Sequence, residues 1–135
     1  MKREIKFRGK SVYGTWHYGD YFSLGYSNKI VTSLYNEITE SHDFEYHDII
    51  PETVGQFTDL KDKHGVDIYE GDLIKMIDEW YDGDILTKGY LGIVVFDDGM
   101  YCIRKKINDD ITNWMPLDES SVLNYEYEIV GNIHD

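Results

Sequence analysis

The 135-residue chain carries 26 acidic against 13 basic side chains, for a formal charge of −13. That length fits one domain or two small lobes, and an aromatic content of 15%, mostly tyrosine, excludes disorder despite the charge. A collagen, a coiled coil, a disulfide scaffold and a membrane span are excluded as well.

In chain order, the first feature is a charge asymmetry. Residues 1–36 hold six basic and two acidic side chains, and residues 37–135 hold seven basic and 24 acidic ones. Read as a strand, Lys2, Glu4, Lys6, Arg8 and Lys10 share one face, with Ile5 and Phe7 on the other. A basic face of this kind either touches an outside partner or lies against the acidic remainder of the protein. The remainder repels phosphate at long range, so direct nucleic-acid binding is not expected. From 11 to 26 the apolar residues Val12, Trp16, Tyr18, Phe22, Leu24 and Tyr26 occupy even positions, with Gly14, Gly19 and Gly25 as bends. Residues 29–34 read as strand, and 44–50 and 54–58 as short extended pieces around the ladder-breaking Pro51.

Asp59 to Gly65 reads as one helical turn or compact loop, with Gly65 at its end. Ile68 to Asp72 reads as a second turn, Leu73 to Glu79 as a strand, and 78–88 as a polar loop. Strands at 90–96 and 100–106 flank Asp97-Asp98-Gly99, the strongest hairpin signal in the chain. Tyr125, Tyr127, Ile129 and Ile133 alternate with polar residues and predict a last strand. Short strands, tight turns and little helix point to a mainly β protein.

Candidate chemistry is sparse. In a strand Asp43, Glu45 and His47 share a face and could offer three metal ligands, but no fourth is indicated and solvated strand faces routinely carry these residues, which is the favoured reading. The acidic loop from Asp78 to Asp84 fails the calcium-loop template, which wants ligands where Trp80 and Gly89 stand. Cys102 is the single cysteine; it lies in a predicted strand with nothing to lower its thiol pKa, and it cannot form an internal disulfide, so no oxidising compartment is required. The charged start leads into no apolar stretch, and the longest apolar run, Leu91 to Phe96, falls far short of the ~20 residues of a spanning helix. A cytoplasmic location is expected. No nucleophile elbow, phosphate loop or Cys-x-x-Cys pair occurs. A non-enzyme without cofactor or metal is therefore expected. Aromatic residues are the better lead, because tryptophan and tyrosine combine a large buried area with a polar end. Trp16 and the pair Trp80-Tyr81, with the basic Lys6 and Arg8, make up the expected interaction surface.

The run from Pro51-Glu52-Thr53-Val54-Gly55 through Gln56-Phe57-Thr58-Asp59-Leu60 and Lys61-Asp62-Lys63-His64-Gly65 to Ile68-Tyr69-Glu70-Gly71-Asp72-Leu73-Ile74 resembles the signature block of the YopX-like family. The opening Arg3-Glu4-Ile5-Lys6-Phe7-Arg8-Gly9-Lys10 and Trp16-His17-Tyr18-Gly19-Asp20 resemble that family's first strands, and the segment Gly92 to Gly99 and the ending Tyr127 to Ile133 resemble its later ones. The resemblance implies a small phage or prophage protein, mainly β, with an SH3-like barrel in its C-terminal part; no catalytic or binding residue comes with it. The expected organisation is a β-rich lobe at 1–58 and the barrel at 59–135. The expected function is a non-enzymatic module that binds an unidentified phage or host protein and forms a homo-oligomer. An acidic DNA mimic and, behind it, a metal-dependent enzyme using residues 42–48 are the alternatives.

Overall fold

A computed structural model describes residues 3–76, 80–82, 85–87, 91–107, 110–124 and 126–135. The chain is mainly β and divides into two compact units, Met1–Phe57 and Thr58–Asp135.

In the first unit the strands are β1 (Phe7–Lys10), β2 (Trp16–Leu24), β3 (Ser27–Asn36) and β4 (Ser41–Asp48), followed by a 3-10 turn at Pro51–Thr53 and the start of β5 (Gly55–Lys61). Neighbours pair antiparallel in the order β4-β3-β2-β1-β5. The strand expected from residue 11 starts only at Trp16, because Ser11 turns the chain: its carbonyl accepts from Gly14 N at 3.0 Å and its hydroxyl from Thr15 N at 3.2 Å. Gly25 (φ +59) opens the two-residue link between Leu24 and Ser27. Within β2, Gly19 approaches the next strand so closely that a Cβ there would meet the Val31 carbonyl oxygen at 2.2 Å. Past Asn36, the side-chain carbonyl of that residue accepts from Ile38 N and Thr39 N at 2.9 and 3.2 Å, closing the β3–β4 link. Pro51 interrupts the ladder as expected. Thr53 Oγ1 then anchors the break by accepting from Lys10 N at 2.8 Å and donating to Ile50 O at 2.6 Å. Ile30, Ile49 and Phe57 are the buried apolar residues of this unit.

The second unit takes up the end of β5, which pairs with β6 (Asp67–Tyr69). Next come β7 (Asp72–Met76), β8 (Trp80–Asp82), β9 (Ile85–Thr87), β10 (Leu91–Asp97), β11 (Met100–Ile107), β12 (Asp110–Pro116), the helix α1 (Glu119–Asn124) and β13 (Tyr127–Asn132). A five-stranded antiparallel sheet runs β12-β11-β10-β7-β13. It keeps β12 and β13 as edges among the described residues, so the barrel expected within 59–135 is an open sheet here. Bulges between Ile103 and Arg104 and between Ile129 and Gly131 bend its strands. The core gathers Ile68, Ile74, Met76, Val94, Ile103, Leu117 and Tyr127, the last fully buried.

The hairpin at Asp97-Asp98-Gly99 forms as predicted, with Asp98 (φ +53) and Gly99 (φ +77) at its tip. The polar loop expected at 78–88 instead contains β8 and β9, paired from Trp80↔Thr87 to Asp82↔Ile85. Of the helical turn or compact loop expected at 59–65, the compact turn forms, ending at Gly65 (φ +78) with Gly65 N donating to Asp62 O at 3.0 Å, while residues 59–61 belong to β5. Helix α1 was not foreseen, although its N-terminus carries a reciprocal cap. Asp118 Oδ1 accepts from Ser121 N at 2.8 Å, and Ser121 Oγ accepts from Asp118 N at 3.0 Å.

Asp62 is the main polar fixture of the second unit. It is buried, its Oδ1 accepts from His64 N at 2.8 Å and Val66 N at 3.0 Å, and its Oδ2 accepts from Ile129 N at 3.2 Å. Removing the carboxylate strands these donors, and an unsatisfied buried donor costs ~1–3 kcal/mol. Asp62→Ala is therefore expected to lower unfolding free energy by ~1–3 kcal/mol in a urea titration at unchanged m-value, with Asp62→Asn losing less because its amide oxygen still accepts.

Candidate functional site

The register of β2, β3 and β4 sorts their side chains onto two faces, because directly paired residues in an antiparallel sheet point the same way. Tyr21 pairs with Ile30 and Ile30 with His47, which places these three on one side. That side is covered around Ile30, which is fully buried, with Phe7 5.9 Å from Tyr21 between ring centroids and the Tyr21 hydroxyl donating to Asn28 Oδ1 at 2.7 Å, while Leu34, Asp43 and Glu45 further along it are exposed. The opposite side holds Asp20, Phe22 and Leu24 on β2, Lys29, Val31, Ser33 and Tyr35 on β3, and His42, Phe44, Tyr46 and Asp48 on β4.

This second side is open. Phe22, Leu24, Tyr35, Phe44 and Tyr46 are all exposed, and Tyr18 further along β2 is exposed too. A shallow concavity of about 510 Å³ lies over it, lined by Phe22, Val31, Phe44 and Tyr46 with Asp20 and Lys29 beside them. Lys29 Nζ is held by Asp48 Oδ1 at 2.6 Å, and the Tyr35 and His42 rings stand 5.1 Å apart. The apolar even positions of β2 thus face out and the odd ones in, with Gly19 and Tyr21 half-buried. Exposed aromatic patches on one sheet face mark interaction surfaces more often than packing accidents.

Of the residues expected to form an interaction surface, Lys6, Arg8 and Trp16 lie in or beside β1 and β2. Arg8 is buried, 7% exposed, with its guanidinium 4.7 Å from the centre of the half-buried Trp16 ring. Lys10 approaches the same ring at 5.7 Å, so Trp16 lies between two cations. Lys6 extends over Phe57 at 4.6 Å and reaches Glu4 at 3.4 Å. These basic side chains set their charged groups on aromatic rings of their own unit, which the alternation of charges did not reveal. The backbone of Trp80 and Tyr81 forms β8, and their side chains lie outside the described residues.

The imidazole and carboxylate groups of this unit do not converge on a metal. Among the described residues no three His, Cys, Asp or Glu side chains do so. On the covered side His47 Nε2 stands 3.3 Å from Glu45 Oε2 and its ring stacks on His17 at 3.8 Å, 9° from parallel. Cys102 is buried at 4% exposure, and burial pushes its thiol up, with Arg104 only partly offsetting this. A thiol held protonated in this way is a poor nucleophile.

The chain belongs to the YopX protein family, whose profile matches residues 6–135. No curated protein sequence matches the chain. Among the described residues no helix is long and apolar enough to cross a membrane.

Burial, and then the facing His47 ring, lower the pKa of His17 below its ordinary 6.5, against a smaller opposing pull from Glu45. The unfolded chain therefore takes up a proton at position 17 at a higher pH than the folded one, and stability falls as pH drops below about 6.5 until the folded group protonates too. The melting temperature of the parent is expected to fall more between pH 7.5 and 5.5 than that of His17→Gln, and an equal fall in both would place the sensitivity in another group.

Proposed function

We propose that this YopX-family chain is a non-enzymatic, cytoplasmic protein of phage or prophage origin that acts by protein binding and self-association, using the open aromatic side of β2, β3 and β4. The observation that carries this reading is the exposure of Phe22, Tyr35, Phe44 and Tyr46 on one sheet face, with a concavity lined by Phe22, Phe44 and Tyr46. Aromatic side chains in such a setting supply most of the buried area at protein contacts, and a partner would cover them with little loss of side-chain freedom. The SH3-like character of the second unit belongs to the same reading, supported by its short antiparallel strands, the Asp98-Gly99 hairpin and the two bulges that curve the sheet.

Light scattering after gel filtration tests the reading directly. The parent is expected to elute above its 15.9 kDa chain mass at micromolar concentration. The double variant Phe44→Ser with Tyr46→Ser is expected to raise the dissociation constant at least tenfold while keeping its melting temperature within a few degrees, because those side chains are 57% and 64% exposed. A parent that stays monomeric into the millimolar range overturns self-association.

A further inference from the structure

We infer that two copies of this chain join through the outer edges of their β4 strands, antiparallel and centred on Glu45, so that their sheets become one. This rests on the self-association reading and names the contact that produces it.

β4 is the terminal strand of its sheet, and its outer edge is paired with no other strand among the described residues. Native edges of this length are usually blunted by proline, a bulge or charged side chains, lysine above all, and the charges of β4 are the carboxylates of Asp43, Glu45 and Asp48. Ser41–Asp48 has neither proline nor lysine, and its register with β3 runs without a shift from Asn36↔Ser41 to Lys29↔Asp48.

The edge dictates which registers a second copy can take. Ile49 N donates to Asn28 O at 3.1 Å, so odd-numbered residues of this stretch turn their backbone groups toward β3. The even residues His42, Phe44, Tyr46 and Asp48 then turn their N–H and C=O groups outward. A second β4 must set outward residues opposite outward residues, which leaves three well-overlapped arrangements, centred on Phe44, Glu45 or Tyr46. Centring on Phe44 sets Asp43 against Glu45 twice, a repulsive pairing. Centring on Tyr46 shortens the overlap to 44–48 and sets Asp48 against Phe44.

Centring on Glu45 sets His42 opposite Asp48, Asp43 opposite His47 and Phe44 opposite Tyr46, each twice by symmetry. Ring N–H donors then meet carboxylates on both faces, and the aromatic row of one copy continues into that of the other. The one adverse pair is Glu45 against its own copy, with the neighbouring His47 ring at 3.3 Å in each chain. The segment His42-Asp43-Phe44-Glu45-Tyr46-His47-Asp48 is complementary to its own reverse, and it lies on the edge of the sheet where such complementarity can act.

The test is the monomer–dimer dissociation constant from sedimentation equilibrium, with circular dichroism confirming each variant's fold. The parent is expected to reach twice its 15.9 kDa mass. Glu45→Gln removes the opposed carboxylates and is expected to tighten the dimer at least threefold. His47→Asp places a carboxylate against Asp43 and is expected to weaken it at least tenfold, and adding Asp43→His should restore most of that loss. Tyr46→Pro deletes an outward N–H while sparing the ladder to β3, and it is expected to weaken the dimer well beyond Tyr46→Ser. Association that responds to Phe44→Ser with Tyr46→Ser but is unmoved by Glu45→Gln, the charge exchange and Tyr46→Pro overturns the edge pairing and leaves self-association through the aromatic side standing. A parent that is monomeric throughout overturns both.

Discussion

The carboxylate of Asp62 holds the second unit together at its most demanding point. The turn that ends β5 has to present backbone N–H groups to the interior, and Asp62 accepts two of them from His64 and Val66 while its other oxygen takes the N–H of Ile129 on β13. Lys63 N donates to Tyr127 O at 2.9 Å alongside, so the first turn of the unit and its last strand are joined by side chain and backbone together. Tyr127 is fully buried in the apolar cluster of this unit, and Ile129 packs on the margin of that cluster. A buried charge is tolerable here because it is saturated with donors. A second aspartate works the same way at the neighbouring turn, where Asp72, almost wholly buried, accepts from Tyr69 N at 2.8 Å.

The first unit follows a different logic. Its sheet buries one side, around Ile30, and leaves the other to solvent although that other side is the more aromatic. The outer edge of β4 also has no strand beside it among the described residues. Its basic residues lie on Trp16 and Phe57, so the cations reinforce the unit, and the exposed side of β2 to β4 is left to aromatic rings, an imidazole and carboxylates.

Elements governed by local chemistry were legible from residue types. The Asp98-Gly99 tip forms because both residues accept positive φ, and the interruption at Pro51 because proline has no N–H to give the ladder. The alternation of Tyr127 and Ile129 with Glu126 and Glu128 predicted a last strand, although the bulge before Gly131 could not be read from it. Asp59 to Gly65 misled because its polar residues resemble a capped turn, when Asp59 sits in β5 at φ +66 and Asp62 bonds to a strand 67 residues away. The cap of α1 was visible in Asp118-Glu119-Ser120-Ser121 and was passed over in a stretch without apolar periodicity.

Composition, turn residues and the signature block from Pro51 to Ile74 by themselves determined the strand content, the hairpin tip and the family, because each depends on interactions between near neighbours or on residue identity alone. Which side of the sheet is covered was decided only by the tertiary structure. Period-2 alternation shows that a strand has two unlike faces, but burial depends on what is packed against each, and the even positions of β2 carry the aromatics outward. The fate of Arg8 was decided in the same way: its charge reads as a surface feature until the Trp16 ring, brought opposite by the β1–β2 register, provides a surface for it to lie on. The parity of the β4 edge also exists only once Ile49 has found Asn28, because a strand has no inner and outer residues until a neighbour takes up half of its backbone groups.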